Sequence, residues 1–411
     1  MTDGTNRRFF GQFAWVTSGR IVAALLQALS LILIARFVDP SEFGTLSAVL
    51  GLATVAQTAI DMGVGTYITR ERAASPDSGG IATALRFNML TSLLLTALVL
   101  CALTAAGVFL DPVYQLMLPL AFWVSGERNA DARLAVVFAD GDVWINVVNL
   151  IARRIVGIVL FLALAFAGVE ALLAYCLAVA VAALLSSGFA NLYVRSRITV
   201  IASISFRELI QESTPYWINS VATQARNLDV TIAGIFAGSV QAGFYATASR
   251  LTSPLRILPT SLASVLLPAA SRASARSHSL TPLLKVVVAV IALMTVLYGI
   301  VFVLMPWIVP LALGEAYSGA VPTIQVVLAG LPFAAATSLF SSLLQGLGLK
   351  KFVATSASIS TVTCLVLVAL FAPVWGSLGA GLALSISFAA QAAILIARFA
   401  RSQTRPTGEI A

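Results

Sequence analysis

RSRITVIASISFRELIQE, residues 195–212, is the longest polar connection in the chain, and the fold is read outward from it. Six long apolar runs precede it, at about 13–37, 43–68, 83–108, 114–138, 143–166 and 172–194. Six more follow, at about 213–238, 243–268, 284–306, 321–344, 353–372 and 379–398. Each has the roughly 20 residues that a helix needs to cross the hydrocarbon core of a bilayer. The bulk composition agrees. Of 411 residues 59% are hydrophobic and 10% are charged, against about 25% charged in soluble domains, and the mean hydropathy is +0.96. The fold expected is an all-α polytopic membrane protein of about twelve spans, since in lipid each segment must satisfy its own backbone. Two six-helix lobes, 1–198 and 213–411, are expected around a 199–212 connection.

The basic residues fix an orientation. Sixteen of the 25 fall in the termini and in alternate links: Arg7, Arg8, Arg70, Arg72, Arg86, Arg195, Arg197, Arg207, Arg272, Arg276, Lys285, Lys350, Lys351, Arg398, Arg401 and Arg405. The other links carry only acids: Asp39, Glu42, Asp111, Glu170 and Glu315. Positive charge stays on the cytoplasmic side, so both termini are expected there. The Asp140-Gly141-Asp142 link is acidic on that same side, which the rule tolerates because acids contribute little to it. The opening MTDGTNRRFFGQ has no signal-peptide pattern and reads as a cytoplasmic N-terminus.

The remaining nine arginines lie inside the apolar runs, and these carry the functional reading. Arg20 and Arg36 are in the first run, Arg128 and Arg133 in the fourth, Arg153 and Arg154 in the fifth. Arg226 is in the seventh, and Arg250 and Arg256 are in the eighth. Four acids accompany them: Asp61, Glu127, Asp131 and Asp229. Each charge costs about 2.5–3.5 kcal/mol at a helix centre, so the groups must face each other or water. Arg36 is the exception, near enough to a helix end to snorkel.

Helical spacing places these charges on polar stripes. Asn146, Asn149 and Arg153 share one, and Thr54, Gln57 and Asp61 another. Tyr216, Asn219, Thr223 and Arg226 form a third, and Ser249, Ser253, Arg256 and Thr260 a fourth; Arg20 aligns with Gln27. Such stripes describe the wall of a shared, cationic cavity. Guanidinium forks match phosphate oxygens, so a diphosphate head group is the natural ligand. The candidate substrate residues are Arg20, Arg128, Arg133, Asn149, Arg153, Tyr216, Asn219, Arg226 and Arg256, with Asp61 and Asp229 as candidates for ion coupling. Two alternatives reduce this set to structure: Arg226 with Asp229, and Arg128 with Asp131, are three apart and can satisfy each other. Arg153 has no acid in its own run, and Arg154 points about 100° away, toward a helix interface. Pro119, Pro254, Pro259 and Pro332 lie within runs and tend to kink them.

Other chemistries are excluded or unsupported. The net charge of +8 is spread along a membrane face and forms no basic domain with interleaved aromatics, so no nucleic acid is expected. Cys101, Cys176 and Cys364 are isolated in apolar runs, and His278 is the single histidine, which leaves no metal site and no histidine-based catalysis. No cofactor is implied.

The halves are weakly repeated. ARFVDPSEFGTLS (35–47) and GIFAGSVQAGFYATA (234–248) each open the second span of a half, with Gly44 corresponding to Gly243. LDVTIAGIFAGSVQAGFYATASRLTSPLRILPTSLASVLLPAASRAS (228–274) then resembles the polysaccharide-transporter branch, the Wzx-like flippases, of the multidrug/oligosaccharidyl-lipid/polysaccharide (MOP) exporter superfamily. The matching positions are Asp229, Gly243, Tyr245, Pro268 and Arg272, supported by DMGVGTYITRERA (61–73) and PVWGSLGAGLALS (373–385). The resemblance implies a MATE-like fold with a central cavity in a bacterial cytoplasmic membrane. It also implies a flippase for polyprenyl-diphosphate-linked oligosaccharide serving O-antigen, capsule or exopolysaccharide synthesis, by alternating access. The implied partners are that lipid-linked oligosaccharide, membrane lipids, H+ or Na+, and the polymerase and glycosyltransferases of the same pathway; Tyr216 and Trp217 would contact sugars. A small-molecule exporter of the same fold and a membrane polymerase or ligase remain as alternatives, although the outer 307–320 link is too small for a catalytic domain.

Overall fold

The computed structural model describes residues 2–75, 77–198, 204–275 and 280–404. Among these there are fifteen α-helices and no β-strand. They are α1 (Thr2–Phe37), α2 (Pro40–Asp61), α3 (Val64–Ala74), α4 (Gly79–Phe109), α5 (Val113–Leu116), α6 (Leu120–Ala139), α7 (Val143–Phe166) and α8 (Ala171–Arg195). There follow α9 (Phe206–Gln224), α10 (Asp229–Ala237), α11 (Ser239–Thr252), α12 (Ile257–Ala275), α13 (Thr281–Leu313), α14 (Val321–Gly346) and α15 (Lys350–Thr404). Every expected span lies on one or two of these. Seven helical stretches are long and apolar enough by themselves to cross a membrane, and the last, Lys350–Arg401, contains the final two expected spans. The chain is a multi-pass membrane protein.

Where the helices depart from single rods, a polar or imino residue is at the break. The second run is cut at Met62-Gly63, directly after Asp61; the seventh by a 3-10 turn, Ala225–Leu228, holding Arg226; the eighth by a 3-10 turn, Ser253–Arg256, holding Pro254 and Arg256. The predicted bend near Arg256 is therefore present. Pro119 is not inside a rod but caps α6, where its missing N–H costs nothing. The expected 307–320 link is mostly helical: α13 runs through Pro306 and Pro310 to Leu313, and Glu315–Ala320 is a 3-10 turn. Phe206 and Leu209 open α9, whose N-terminus is capped by Ser205 Oγ accepting from Glu208 N at 3.2 Å, and Leu209 is buried among Tyr67, Phe87 and Val194.

By contacts the chain divides into two compact units, residues 1–38 with 49–227, and residues 39–48 with 228–411. The division thus falls at the 225–228 turn and not in the 199–212 connection, and the first turns of α2 belong with the second unit. The reason lies in an α2–α11 crossing. A Cβ on Gly44 would fall on the Ser239 carbonyl oxygen, and one on Gly243 would fall on the Pro40 carbonyl. Gly44 and Gly243 are separated by the same 199 positions as Pro40 and Ser239, so the two contacts are images of each other under a pseudo-two-fold. Ser41 Oγ and Ser239 Oγ share a hydrogen bond of 2.7 Å, and Thr231 Oγ1 donates to the Ala48 carbonyl at 2.9 Å. Small residues let two backbones approach where no hydrophobic force drives helices together.

The same unit carries the break in α15. Gly376 has φ 59° and ψ −137°, outside the helical region and open to glycine at low cost. The N–H of Ser377 then points to Gln241 Oε1 at 2.8 Å, and Thr323 Oγ1 lies 2.9 Å from Ser377 Oγ. A side chain from α11 therefore caps the last helical segment, satisfying a donor that the break exposes.

In the first unit, the acids of the 140–142 link find partners. Arg72 Nε lies 2.7 Å from Asp140, Arg197 lies 3.2 Å from Asp140 and 2.7 Å from Asp142, and the Arg197 guanidinium stacks 4.6 Å from the Tyr193 ring. Burial alone would raise the Asp140 carboxyl; hydrogen bonds from Arg72 and then Arg197 outweigh it and hold the carboxyl below its ordinary value. Its stabilising contribution is therefore present above the ordinary carboxylate range and lost as pH falls through the lowered folded-state value. The pair is partly open to solvent, so Asp140→Asn should cost only about 1 kcal/mol. Melting of the purified protein should show that loss at neutral pH, with the gap between the two proteins closing at the acid end. A gap of equal size at every pH would refute the assignment.

Candidate functional site

The fourth and fifth spans, α6 and α7, bring four charges together. Glu127 and Asp131 are one helical turn apart on α6, and Arg153 and Arg154 are consecutive on α7. Arg153 Nη1 lies 3.2 Å from Asp131 Oδ1, and its Nη2 lies 3.4 Å from Glu127 Oε1; Arg154 Nη2 lies 3.0 Å from the same Glu127 oxygen. The Arg153 side chain is only 4% exposed, whereas that of Asp131 is 58% exposed. Three close contacts at about 4 kcal/mol each in a medium of effective dielectric 20 are of the same order as inserting four charges at about 3 kcal/mol each. The network can therefore exist at mid-helix without a large net cost. Arg153 retains an Nε with no hydrogen-bond partner among the described residues.

A cavity of about 10 Å³, the space one water molecule fills, adjoins these arginines. Gln27 and Ser30 of α1, Trp123 of α6, and Arg153, Arg154 and Gly157 of α7 line it, with Val179 and Ala182 of α8 at the back. Here the structure corrects the sequence reading. Arg153 was expected on a neutral stripe, but its acids come from the neighbouring helix. Arg154 does lie at a helix interface, where it shares Glu127 of α6. The network is electrically balanced and not cationic. Trp123 was missed, although it stands one turn before Glu127 and so on the same face.

Arg128 turns the other way, and the expected Arg128–Asp131 pair is replaced, since Asp131 takes Arg153. Arg128 Nη2 donates to Thr91 Oγ1 at 2.9 Å and to the Ile60 carbonyl at 3.4 Å; its Nε and Nη1 are buried with no hydrogen-bond partner among the described residues. The Ile60 contact belongs to the α2 break. α2 stops at Asp61, and Met62 (φ 49°) and Gly63 (φ 76°) turn left-handed before α3. That leaves helix-end carbonyls without intrahelical donors. The Trp217 indole N–H meets two of them, Thr58 at 3.2 Å and Ala59 at 2.9 Å, and Arg128 meets the third. The Trp217 indole N–H is thus engaged by the backbone. Asp61 lies beside the Gly63 and Gly65 amides and faces Arg128.

The other candidates are placed separately. Asn149 is buried in a closed exchange with Ser186, Oγ to Oδ1 at 2.6 Å, and offers nothing to the cavity. Arg133 donates to Asn191 Oδ1 at 3.0 Å and to the Asn129 carbonyl at 3.2 Å. In the second unit Asp229 accepts from the Tyr245 hydroxyl at 2.8 Å and from the Val230 amide at 2.7 Å, at the start of α10. The Arg256 guanidinium sits 5.3 Å from the Phe388 ring centre. Arg226 lies in the Ala225–Leu228 3-10 turn. Arg20, Tyr216 and Asn219 lie outside the residues whose side chains are described.

Residues 11–274 match the family described as polysaccharide biosynthesis protein. The fold is similar to that of an inward-facing multidrug resistance MATE transporter of the MOP superfamily, with a TM-score of 0.75 at 13% identity, covering 94% of this chain and 96% of that one. It is similar to the lipid II flippase MurJ in an inward closed conformation, with a TM-score of 0.71 at 13% identity, over 94% and 87%. A MOP superfamily transporter from Pyrococcus furiosus, described as having a binding pocket of reverse polarity, matches with a TM-score of 0.62 at 13% identity, over 95% of both chains. No curated protein matches the sequence. The all-helical, multi-pass chain with paired charges inside its spans has the fold of these MOP superfamily proteins. The chain belongs to the polysaccharide biosynthesis protein family.

Proposed function

We propose that this chain is a flippase that carries a polyprenyl-diphosphate-linked oligosaccharide across a bacterial cytoplasmic membrane, with both termini on the cytoplasmic side. The reading is carried by two adjacent guanidinium groups, Arg153 and Arg154, set beside a polar cavity within the spans. Guanidinium recognises phosphate in two-pronged geometry, and a family devoted to polysaccharide biosynthesis supplies the sugar. The likeness to a lipid II flippase supports the same class of cargo. Alternating access moves the head group while the isoprenoid chain stays in lipid, and no covalent step is involved. Asp61, at the α2 break beside Arg128, and Asp229, which accepts from Tyr245, are the two ion-coupling candidates for H+ or Na+.

The test is translocation in vesicles. Purified full-length chain in liposomes should move a fluorescent polyprenyl-diphospho-oligosaccharide to the opposite leaflet at least about tenfold faster than protein-free vesicles do. Transport of organic cations with no movement of the lipid-linked sugar would instead establish the exporter.

A further inference from the structure

We infer that the Glu127–Asp131 pair is a built-in competitor for the substrate's diphosphate, so that head-group binding at Arg153 and Arg154 takes up protons. The inference rests on the flippase reading above. It follows from a count of donors and charges. Arg153 gives Nη1 to Asp131 and Nη2 to Glu127, and Arg154 gives Nη2 to Glu127. The Arg153 and Arg154 groups that would grip phosphate are therefore already holding carboxylates. Two cations and two anions balance, leaving no excess charge to draw a dianion into a region of low dielectric.

The described side chains around the network do not change that balance. The cavity faces of α1 and α8 present Gln27, Ser30, Val179 and Ala182, all neutral. The remaining α6 arginines point elsewhere: Arg128 to Thr91 and Ile60, Arg133 to Asn191. Among the described residues α4 offers α6 the neutral Asn88, Thr91 and Thr96, and Arg72 of α3, which also packs on α6, is held by Asp140.

Protonating both carboxylates changes the count. The Arg153 and Arg154 donors become free, and the cluster carries two positive charges. A diphosphate diester, the linkage in a polyprenyl-diphospho-sugar, carries two negative charges and lacks the second ionisation near pH 6 of a phosphate monoester. Binding the head group and taking up two protons then leaves the site neutral again. Asp131 is the entry point for the first proton, being open where Arg153 is buried. The sign follows from linkage: binding that takes up protons is tighter at low pH. It weakens by up to tenfold per pH unit for each proton, between the carboxyl values of the free and the loaded site.

The experiment is calorimetric titration of the full chain in lipid nanodiscs with farnesyl-diphospho-N-acetylglucosamine at pH 7, repeated in buffers of different ionisation enthalpy. The wild type should take up between one and two protons per ligand bound, and its Kd should rise with pH. Glu127→Gln should lower the uptake by about one, and Glu127→Gln with Asp131→Asn should abolish it and bind at least about tenfold more tightly at pH 8. The wild-type count stands alone if the double variant does not fold. Binding with no proton uptake by the wild type would overturn the inference and leave the flippase reading intact. No binding at any pH would overturn both.

Discussion

Replacing Arg153 with methionine should abolish translocation and also destabilise the protein by about 3–5 kcal/mol. The second effect has nothing to do with transport. Removing one partner from a buried ion pair leaves the others uncompensated, and here Glu127 and Asp131 would share only Arg154, which contacts Glu127 alone. Loss of transport in this variant is therefore ambiguous by itself. The informative partner is a fourfold variant, Glu127→Gln, Asp131→Asn, Arg153→Met and Arg154→Met, which removes every charge at once. Replacing a whole buried network by residues of similar volume is often neutral for stability, so this protein should unfold within about 1 kcal/mol of the wild type. It should still fail to move the lipid-linked sugar in vesicles. A stable fourfold variant that transports at the wild-type rate would reduce the network to scaffolding.

The second large effect is at the glycine crossing. Gly243→Ala should cost about 3 kcal/mol or more, beyond the usual 1–3 kcal/mol for overpacking, because the added methyl meets the Pro40 carbonyl and not a side chain that can rotate away. Gly44→Ala, which meets the Ser239 carbonyl, should do the same. Gly188→Ala is the control, since its Cβ would meet nothing. Yield of monodisperse protein in detergent and unfolding midpoints measure all three. A Gly243→Ala protein as stable as the Gly188→Ala control would show that the two helices do not cross closely.

The fold was legible in the sequence because lipid imposes a harsh rule. A run of twenty apolar residues has few alternatives to a helix, and every expected span is helical. The equivalence of Gly44 and Gly243, drawn from a weak repeat, is met by a symmetric contact in the structure. The site was legible only in part. Which residues carry charge inside the membrane is plain from the sequence. Which charges meet is not, because spacing along one helix reports only its own face. So Arg128 was paired with Asp131, three residues on, while the closer partner of Asp131 was Arg153 on the next helix. Trp217 has a second role that spacing did not show: its indole N–H serves carbonyls at the α2 break, which Gly63 and Gly65 mark only weakly in the sequence. The helix breaks could be anticipated where proline marked them, as at Pro254, but not at Asp61 or Arg226.

The Gln241 cap on the break in α15 bears on the order in which the molecule is made. The segment beginning at Ser377 leaves the ribosome after α11, and its first amide depends on a side chain synthesised 136 positions earlier. Its partner Thr323, too, is already in place by then. That segment can enter the membrane on its hydrophobicity, and docking on α11 then satisfies its first amide. The contact has a long sequence separation, the kind whose loop-closure cost makes folding slow. A chain cut before residue 377 would leave the Gln241 carbonyl oxygen without this donor, on a helix already inserted.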